Sequence, residues 1–295
     1  MSLSYYGMLA AGWIIGRVPR RLSLGVARGA GVLYYYIFPR KRQLARKNMR
    51  RALGPGTPER LVRQTARRVC RYYAEYWVDI LWLPTRTRQY VLDRFRKIDE
   101  EPLEKAAAAG GGVIVVLPHF GSWEAGAVYL SSLGPFAAVA EVLKPKELFD
   151  LFIKLRAGVG IRIFPYDHSP ETRDAMVGSL RDGTILALLC DRDLKGGGVE
   201  VEFFGERTTL PPGPASLALK SGSPIVCVNV RNVEDGTWIG HATDPIYVTS
   251  QESALEKERA IQETMQKVAR RLEMLIREDP AQWHMLMPAW PSDRE

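Results

Sequence analysis

The run Gly111-Gly112-Val113-Ile114-Val115-Val116-Leu117 constrains this chain more than any other segment, because it offers no polar face to water. A strand of that kind is buried on both sides, which places it inside a parallel or mixed sheet covered by helices. Sheets of this class carry their ligands beyond the carboxyl ends of their strands. Beyond this strand come Pro118-His119-Phe120-Gly121-Ser122-Trp123-Glu124.

With a helix starting near Ser122, His119 falls in the strand-to-helix turn and Glu124 in the first helical turn, within reach of the imidazole. A carboxylate that accepts from one ring nitrogen fixes the tautomer and leaves the other nitrogen able to take a proton from a hydroxyl. A histidine packed in the turn, with a glutamate complementing the helix dipole, fits the same spacing. Spacing alone leaves both readings open.

Strand patterns at 95–98, 113–117, 137–142, 162–164, 185–190, 199–204, 225–229 and 237–242 alternate with helical ones at 103–109, 123–133, 146–159, 171–181 and 215–221, before a long helix over 253–278. This order predicts a three-layer α/β sandwich with a largely parallel central sheet flanked by helices. No Gly/Ser-rich or Pro-rich linker divides the 295 residues, so a single domain is expected, with a basic, apolar helical region over 1–90 and an α/β core over 91–295. Within the first region the patterns predict one or two membrane-facing helices over 3–37, a basic helix over 43–53, and a longer one from Arg60 to about Leu83 with Thr57 as its cap.

Charge is split along the chain. Residues 1–97 hold 21 Lys and Arg against 4 Asp and Glu, so they carry +17 of a net +8 and the remainder carries −9. A basic face of this size suits an anionic membrane surface or a nucleic acid. Here aromatic and aliphatic residues interleave with the cations, as in Tyr34-Tyr35-Tyr36-Ile37-Phe38 before Arg40-Lys41-Arg42, which suits the headgroup boundary of a bilayer. Nucleic-acid motifs are absent from the sequence. The uncharged opening segment, Tyr5 to Gly16, has 12 residues, short of the roughly 20 that span a bilayer. Peripheral, monotopic attachment through amphipathic N-terminal helices is the expectation. Cys70, Cys190 and Cys227 are scattered and read as reduced thiols on the cytoplasmic side, and no cluster has zinc spacing.

The chain resembles the lysophospholipid-acyltransferase-like superfamily, and within it the bacterial lipid A late acyltransferases and phosphatidylinositol mannoside acyltransferases. His119 and Glu124 match that superfamily's His-x4-Asp/Glu motif, and the likeness extends through Asp191-Arg192-Asp193-Leu194, the segment Val199 to Gly205 ending in Phe203-Phe204-Gly205, Pro212 to Ala218, and Trp283-His284-Met285-Leu286. The Asp-Arg-Asp and Phe-Phe-Gly blocks resemble the phosphatidylinositol mannoside branch more closely. The resemblance implies acyl transfer from acyl-CoA or an acyl carrier protein to a glycolipid hydroxyl at the cytoplasmic face of the bacterial inner membrane, with no metal or other cofactor. His119 would be the general base and Glu124 the carboxylate stabilising its imidazolium. No Gly-x-Ser-x-Gly elbow offers a serine nucleophile. An amide of Gly213 or Ala215 would donate to the oxyanion. Charged residues at predicted strand ends, Glu141, Asp191, Arg192 and Asp193, together with Arg156 on a following helix and Glu200 in a later strand, are expected to bind substrate, arginines taking phosphates and carboxylates taking sugar hydroxyls. His168, His241 and His284 are expected to be structural. A monomer is the simplest assembly, although nothing in the sequence decides it. The rival reading is a basic lipid-binding protein in which His119 is incidental, and the rival acceptor is a lipid A precursor.

Overall fold

The computed structural model describes residues 3–142, 146–147, 149–150, 153, 161–167, 169–193, 196–249 and 253–293. The chain opens with five helices, α1 (Leu3–Arg17), α2 (Arg20–Ile37), α3 (Pro39–Leu53), α4 (Glu59–Trp82) and α5 (Arg88–Leu92). Prolines set the breaks. Pro19 caps α2, and Pro39, which has no N–H to leave unsatisfied, occupies the first position of α3. Helix α4 is capped by Pro58, while the Thr57 hydroxyl donates back to the Leu53 carbonyl at 2.9 Å and so belongs to the end of α3.

Helix α2 buries Leu24, Ala27, Gly31 and Tyr35, a three-to-four-residue repeat that forms one stripe. A Cβ on Gly31 would stand 2.4 Å from the Cys70 carbonyl oxygen, so glycine is what lets α2 cross α4 at backbone contact. The opposite face is exposed and apolar, with Leu22, Val26 and Leu33 more than half exposed, as are Trp13 and Ile14 of α1. Helices α3 and α4 behave differently: Ala45, Met49, Val62, Ala66 and Val69 are fully buried. Exposed apolar surface in the helical region is therefore concentrated on α1 and α2, while α3 and α4 belong to the core. Among the described residues, no helix is long and apolar enough to cross a membrane.

Nine strands follow among the described residues: β1 (Phe95–Ile98), β2 (Val113–Leu117), β3 (Phe136–Glu141), β4 (Arg162–Tyr166), β5 (Ile185–Leu189), β6 (Val199–Phe203), β7 (Glu206–Leu210), β8 (Ile225–Asn232) and β9 (Trp238–Ala242). Seven of them form one sheet in the order β1-β9-β8-β2-β5-β3-β4, parallel at every pairing except β8 with β9. All five residues of β2 are buried, as its composition demands. Ile114 and Val116 pack with Leu186, Ile225 and Cys227 against helices α8 (Pro170–Arg181), α9 (Gly213–Ser221) and α10 (Ala254–Arg277). Val113, Val115 and Leu117 face the other way, with Ala187 and Val228, toward α6 (Glu101–Ala108) and α7 (Trp123–Leu133). This is the expected three-layer sandwich, and each fully buried aliphatic side chain stabilises it by roughly 1.5–3 kcal/mol.

Strand β7 was not anticipated. It pairs with β6 as an antiparallel hairpin outside the main sheet, turned by Phe204 and Gly205 at φ of 54° and 76°. Two successive positive φ values are the mark of a tight hairpin turn. The Phe-Phe-Gly block is thus packing and turn chemistry: Phe203 stacks on Trp290 at 5.7 Å between centroids, and Phe204 lies 5.4 Å from Trp283. The expected helix over 146–159, and with it Arg156, lies outside the described residues apart from a few positions, as does His168.

Candidate active site

Strands β2 and β5 are neighbours in register, with Leu117 opposite Leu189. The Cys190 amide extends the pairing by donating to the Leu117 carbonyl at 3.0 Å. Two residues beyond each strand stand His119 and Asp191, so register alone brings them face to face. Asp191 Oδ1 lies 2.5 Å from His119 Nδ1, and its Oδ2 accepts from the His119 amide at 2.9 Å and from the Trp283 indole N–H at 2.8 Å. Asp191 is 1% exposed. Burial pushes its carboxyl up, but the charge and hydrogen bond of His119, the Trp283 hydrogen bond and the nearby Arg192 outweigh that and hold it down to about 2. A carboxylate locked on Nδ1 makes Nε2 the imidazole nitrogen that can take a proton.

This corrects the expected pairing. Glu124 was expected to orient His119, and Asp191 to bind substrate. The nitrogen in question is held by Asp191, because strand register delivers that side chain to Nδ1, whereas Glu124 leaves from the first turn of α7 and lines the adjoining cavity.

The loop bearing His119 is clamped by distant segments. Phe120 and Trp283 form an antiparallel bridge, the His284 amide donates to the His119 carbonyl at 2.7 Å, and the Gly121 amide donates to the Gln282 carbonyl at 3.0 Å. On the other side the Ser122 amide donates to the Val230 carbonyl at 3.0 Å. Gly121 has φ of 55°, and a Cβ there would lie 1.9 Å from the Val230 oxygen, so glycine is obligatory. Ser122 is the N-cap residue of α7 but makes no side-chain cap bond.

His119 opens on a cavity of about 870 Å³. One part of its wall is apolar and comes from the core between the sheet and α7: Leu117, Ala127, Leu130, Phe136, Ala138, Ile161 and Ala187. A second part is aromatic, with Tyr73, Tyr76 and Trp77 from α4 beside Trp123. The polar part includes Glu124, Glu141, Asp167, Arg192, Asp193 and Lys41. Gly213, at the first position of α9, also lines it; its N–H has no partner among the described residues and sits at the positive end of the helix dipole. Ala215 is fully buried and does not line the cavity, and Pro214 has no N–H, so Gly213 is the amide available to an oxyanion there.

Two other expected residues have different places. Asp193 lines the cavity, but it also organises the following loop, accepting from the amides of Gly196 and Gly198 at 3.0 and 2.7 Å and from the Thr209 hydroxyl at 2.9 Å. Glu200 is on the solvent side of the β6–β7 hairpin, 64% exposed and 3.5 Å from Arg207, away from the cavity lining. Alternation with valine in β6 turns it to water, so its expected contact with substrate is not supported by its position.

His284 was expected to be structural, yet it lines the cavity. Its ring is 5% exposed, has no hydrogen-bond partner at either nitrogen among the described residues, and lies 5.5–5.9 Å from the rings of Tyr73, Tyr76 and Trp123. Burial, reinforced by the charge of His119, drives its pKa down to about 3, so the imidazole is neutral. Trp283, the partner of Asp191, was equally invisible as a site residue. Only the sequence block Trp283-His284-Met285-Leu286 pointed to either. Among the described residues, no group of His, Cys, Asp and Glu could hold a metal ion.

Similarity defines the class: an enzyme that transfers acyl groups. The chain belongs to the bacterial lipid A biosynthesis acyltransferase family, whose model matches residues 2–292. It is 33% identical over 290 residues to the phosphatidylinositol mannoside acyltransferase of Mycolicibacterium smegmatis, covering 96% of this chain and 90% of that one. It is 31% identical over 291 residues to a protein of the same name from Mycobacterium tuberculosis, covering 96% and 88%. Among solved structures it is similar to the 1-acyl-sn-glycerophosphate acyltransferase PlsC from Thermotoga maritima, with a TM-score of 0.35 and 13% identity over 84% of this chain and 97% of that one.

Proposed function

We propose that the enzyme transfers a fatty acyl chain from acyl-CoA or an acyl carrier protein to a mannose hydroxyl of a phosphatidylinositol mannoside, with His119 as general base. The observation that carries the mechanism is the His119–Asp191 pair at the wall of a cavity with an apolar side. His119 Nε2 takes the proton as the acceptor oxygen attacks the thioester carbonyl. The tetrahedral oxyanion accepts a hydrogen bond from the Gly213 amide. Collapse breaks the carbon–sulfur bond, and the imidazolium returns its proton to the leaving thiolate, giving an ester and a free thiol. Asp191 stabilises the transient imidazolium, the part first assigned to Glu124. Glu124 and Glu141 supply carboxylates suited to sugar hydroxyls, and Leu130, Phe136 and Ile161 supply the wall against which an acyl chain would lie. The names of the relatives favour the mannoside acceptor over a lipid A precursor.

In this reading the exposed apolar faces of α1 and α2, flanked by arginines, rest on anionic lipid at the cytoplasmic face of the inner membrane. The test incubates purified protein with palmitoyl-CoA or palmitoyl acyl carrier protein and each candidate acceptor, with products read by mass spectrometry. Acylated mannoside is the expected product. Transfer to a Kdo-lipid IVA-type acceptor and none to the mannoside would overturn the acceptor, and undiminished turnover in His119→Ala would overturn the base.

A further inference from the structure

Two cations in the cavity wall have no anionic partner among the described residues. Lys41, in the first turn of α3, donates from Nζ to the Leu286 carbonyl at 3.0 Å. Arg192, in the loop after β5, places Nη1 2.9 Å from the Met287 sulfur. Leu286 and Met287 are consecutive, so the C-terminal segment that clamps the His119 loop also holds two cations from distant parts of the chain, one through each residue. Both are half-buried and both line the cavity. Among the described residues neither has a carboxylate at ion-pair distance, whereas Arg20 and Arg28 each have one and Arg51 has two. Arg192 feels the charge of Asp191, but that carboxylate is bound by His119 and Trp283.

A carbonyl and a thioether are neutral acceptors, the second a weak one. They orient a cation without cancelling its charge, and a cation partly withdrawn from water is stabilised most by an anion. The guanidinium fork and the ammonium together suit the oxygens of a phosphate ester. We infer that Lys41 and Arg192 form a phosphate seat in the cavity wall, engaging a phosphate ester on one of the two substrates. This rests on the reading of the cavity as the place of acyl transfer. The same chemistry could reach it from two sources, the pantetheine side of the donor or the phosphodiester of a glycophospholipid acceptor.

The test is equilibrium binding by the full chain, read from tryptophan fluorescence, since Trp77 and Trp123 line the cavity. Lys41→Gln, which keeps a donor for the Leu286 carbonyl, Arg192→Gln and the double variant are compared with the parent. The donor arm sets palmitoyl-CoA against S-palmitoyl-N-acetylcysteamine, and the acceptor arm sets phosphatidylinositol mannoside against an alkyl mannoside. In one arm the phosphate-bearing probe should weaken about tenfold in each single variant and about a hundredfold in the double, about 1.4 kcal/mol for each tenfold step, while its phosphate-free counterpart is unchanged. The arm that moves identifies the source. The seat is overturned by unchanged binding of both phosphate-bearing probes in the double variant, or by equal losses for their phosphate-free counterparts. Because binding is read without turnover, failure of mannoside acylation would count against the proposed function alone.

Discussion

Replacing Asp191 with asparagine preserves shape and reverses the demand on one nitrogen. Asp191 Oδ2 serves two donors, the His119 amide and the Trp283 indole, while Oδ1 serves His119 Nδ1 alone. In Asp191→Asn the amide oxygen takes the position with two donors, since an NH2 there would face both of them. The NH2 is then set against Nδ1, which must become an acceptor. The imidazole flips to the tautomer with its proton on Nε2, and the nitrogen at the cavity can no longer act as a base. The equivalent change in a Ser-His-Asp triad lowers kcat by about 10⁴-fold, or about 5.4 kcal/mol of transition-state stabilisation. The same loss is expected here, measured as acyl transfer from palmitoyl-CoA under saturating conditions, with circular dichroism confirming an intact fold. Glu124→Gln leaves this geometry alone and should lose less. The reasoning is refuted if Asp191→Asn keeps more than about a tenth of the parent rate, or if Glu124→Gln is the more damaging of the two.

Three further outcomes check other parts of the structure. Gly121→Ala forces a Cβ against the Val230 carbonyl and should displace the His119 loop, lowering both kcat and the melting temperature, with a strain cost of order 1–3 kcal/mol. Glu100 is 3% exposed with one carboxylate oxygen unpaired; burial, helped by Glu104, pushes its carboxyl up to about 8. Between the ordinary value of 4.5 and about 8 the folded state therefore holds a proton that the unfolded state releases, and stability falls as pH rises through that window. Glu100→Gln should raise the melting temperature at pH 8 and leave it unchanged at pH 4, where both forms are neutral; an equal change at both pH values would contradict this. On the outer face of α2, Val26→Glu with Leu33→Glu should weaken sedimentation with anionic liposomes at low salt while leaving the fold intact, because both residues are exposed. Unchanged sedimentation would refute that face as the membrane contact. Truncating residues 1–38 is a poorer test, since α2 buries Leu24, Ala27 and Tyr35.

Local composition was enough for whatever depends on one segment. The apolar run over 113–117 marked a doubly covered strand, and the alternating patterns around it marked the sandwich. His119 was legible because it follows that strand directly, and the charge split showed which end of the chain is basic. Glu200 was misplaced because a strand's period says which residues share a face but not which face meets the cavity. The choice between Glu124 and Asp191 could not be made at that level. A carboxylate five positions from the histidine is near it in sequence, whereas one 72 positions away becomes its partner only when β5 lies beside β2 with Leu117 opposite Leu189. The roles of Trp283, His284 and Lys41 likewise arise where the C-terminal segment returns across the His119 loop. Residue type and local period therefore determined the strand, the place of His119 at its end and the charge asymmetry by themselves; the carboxylate on His119 Nδ1 and the walls of the cavity were decided by tertiary structure, because strand register and the return of the chain's end are properties of the whole fold.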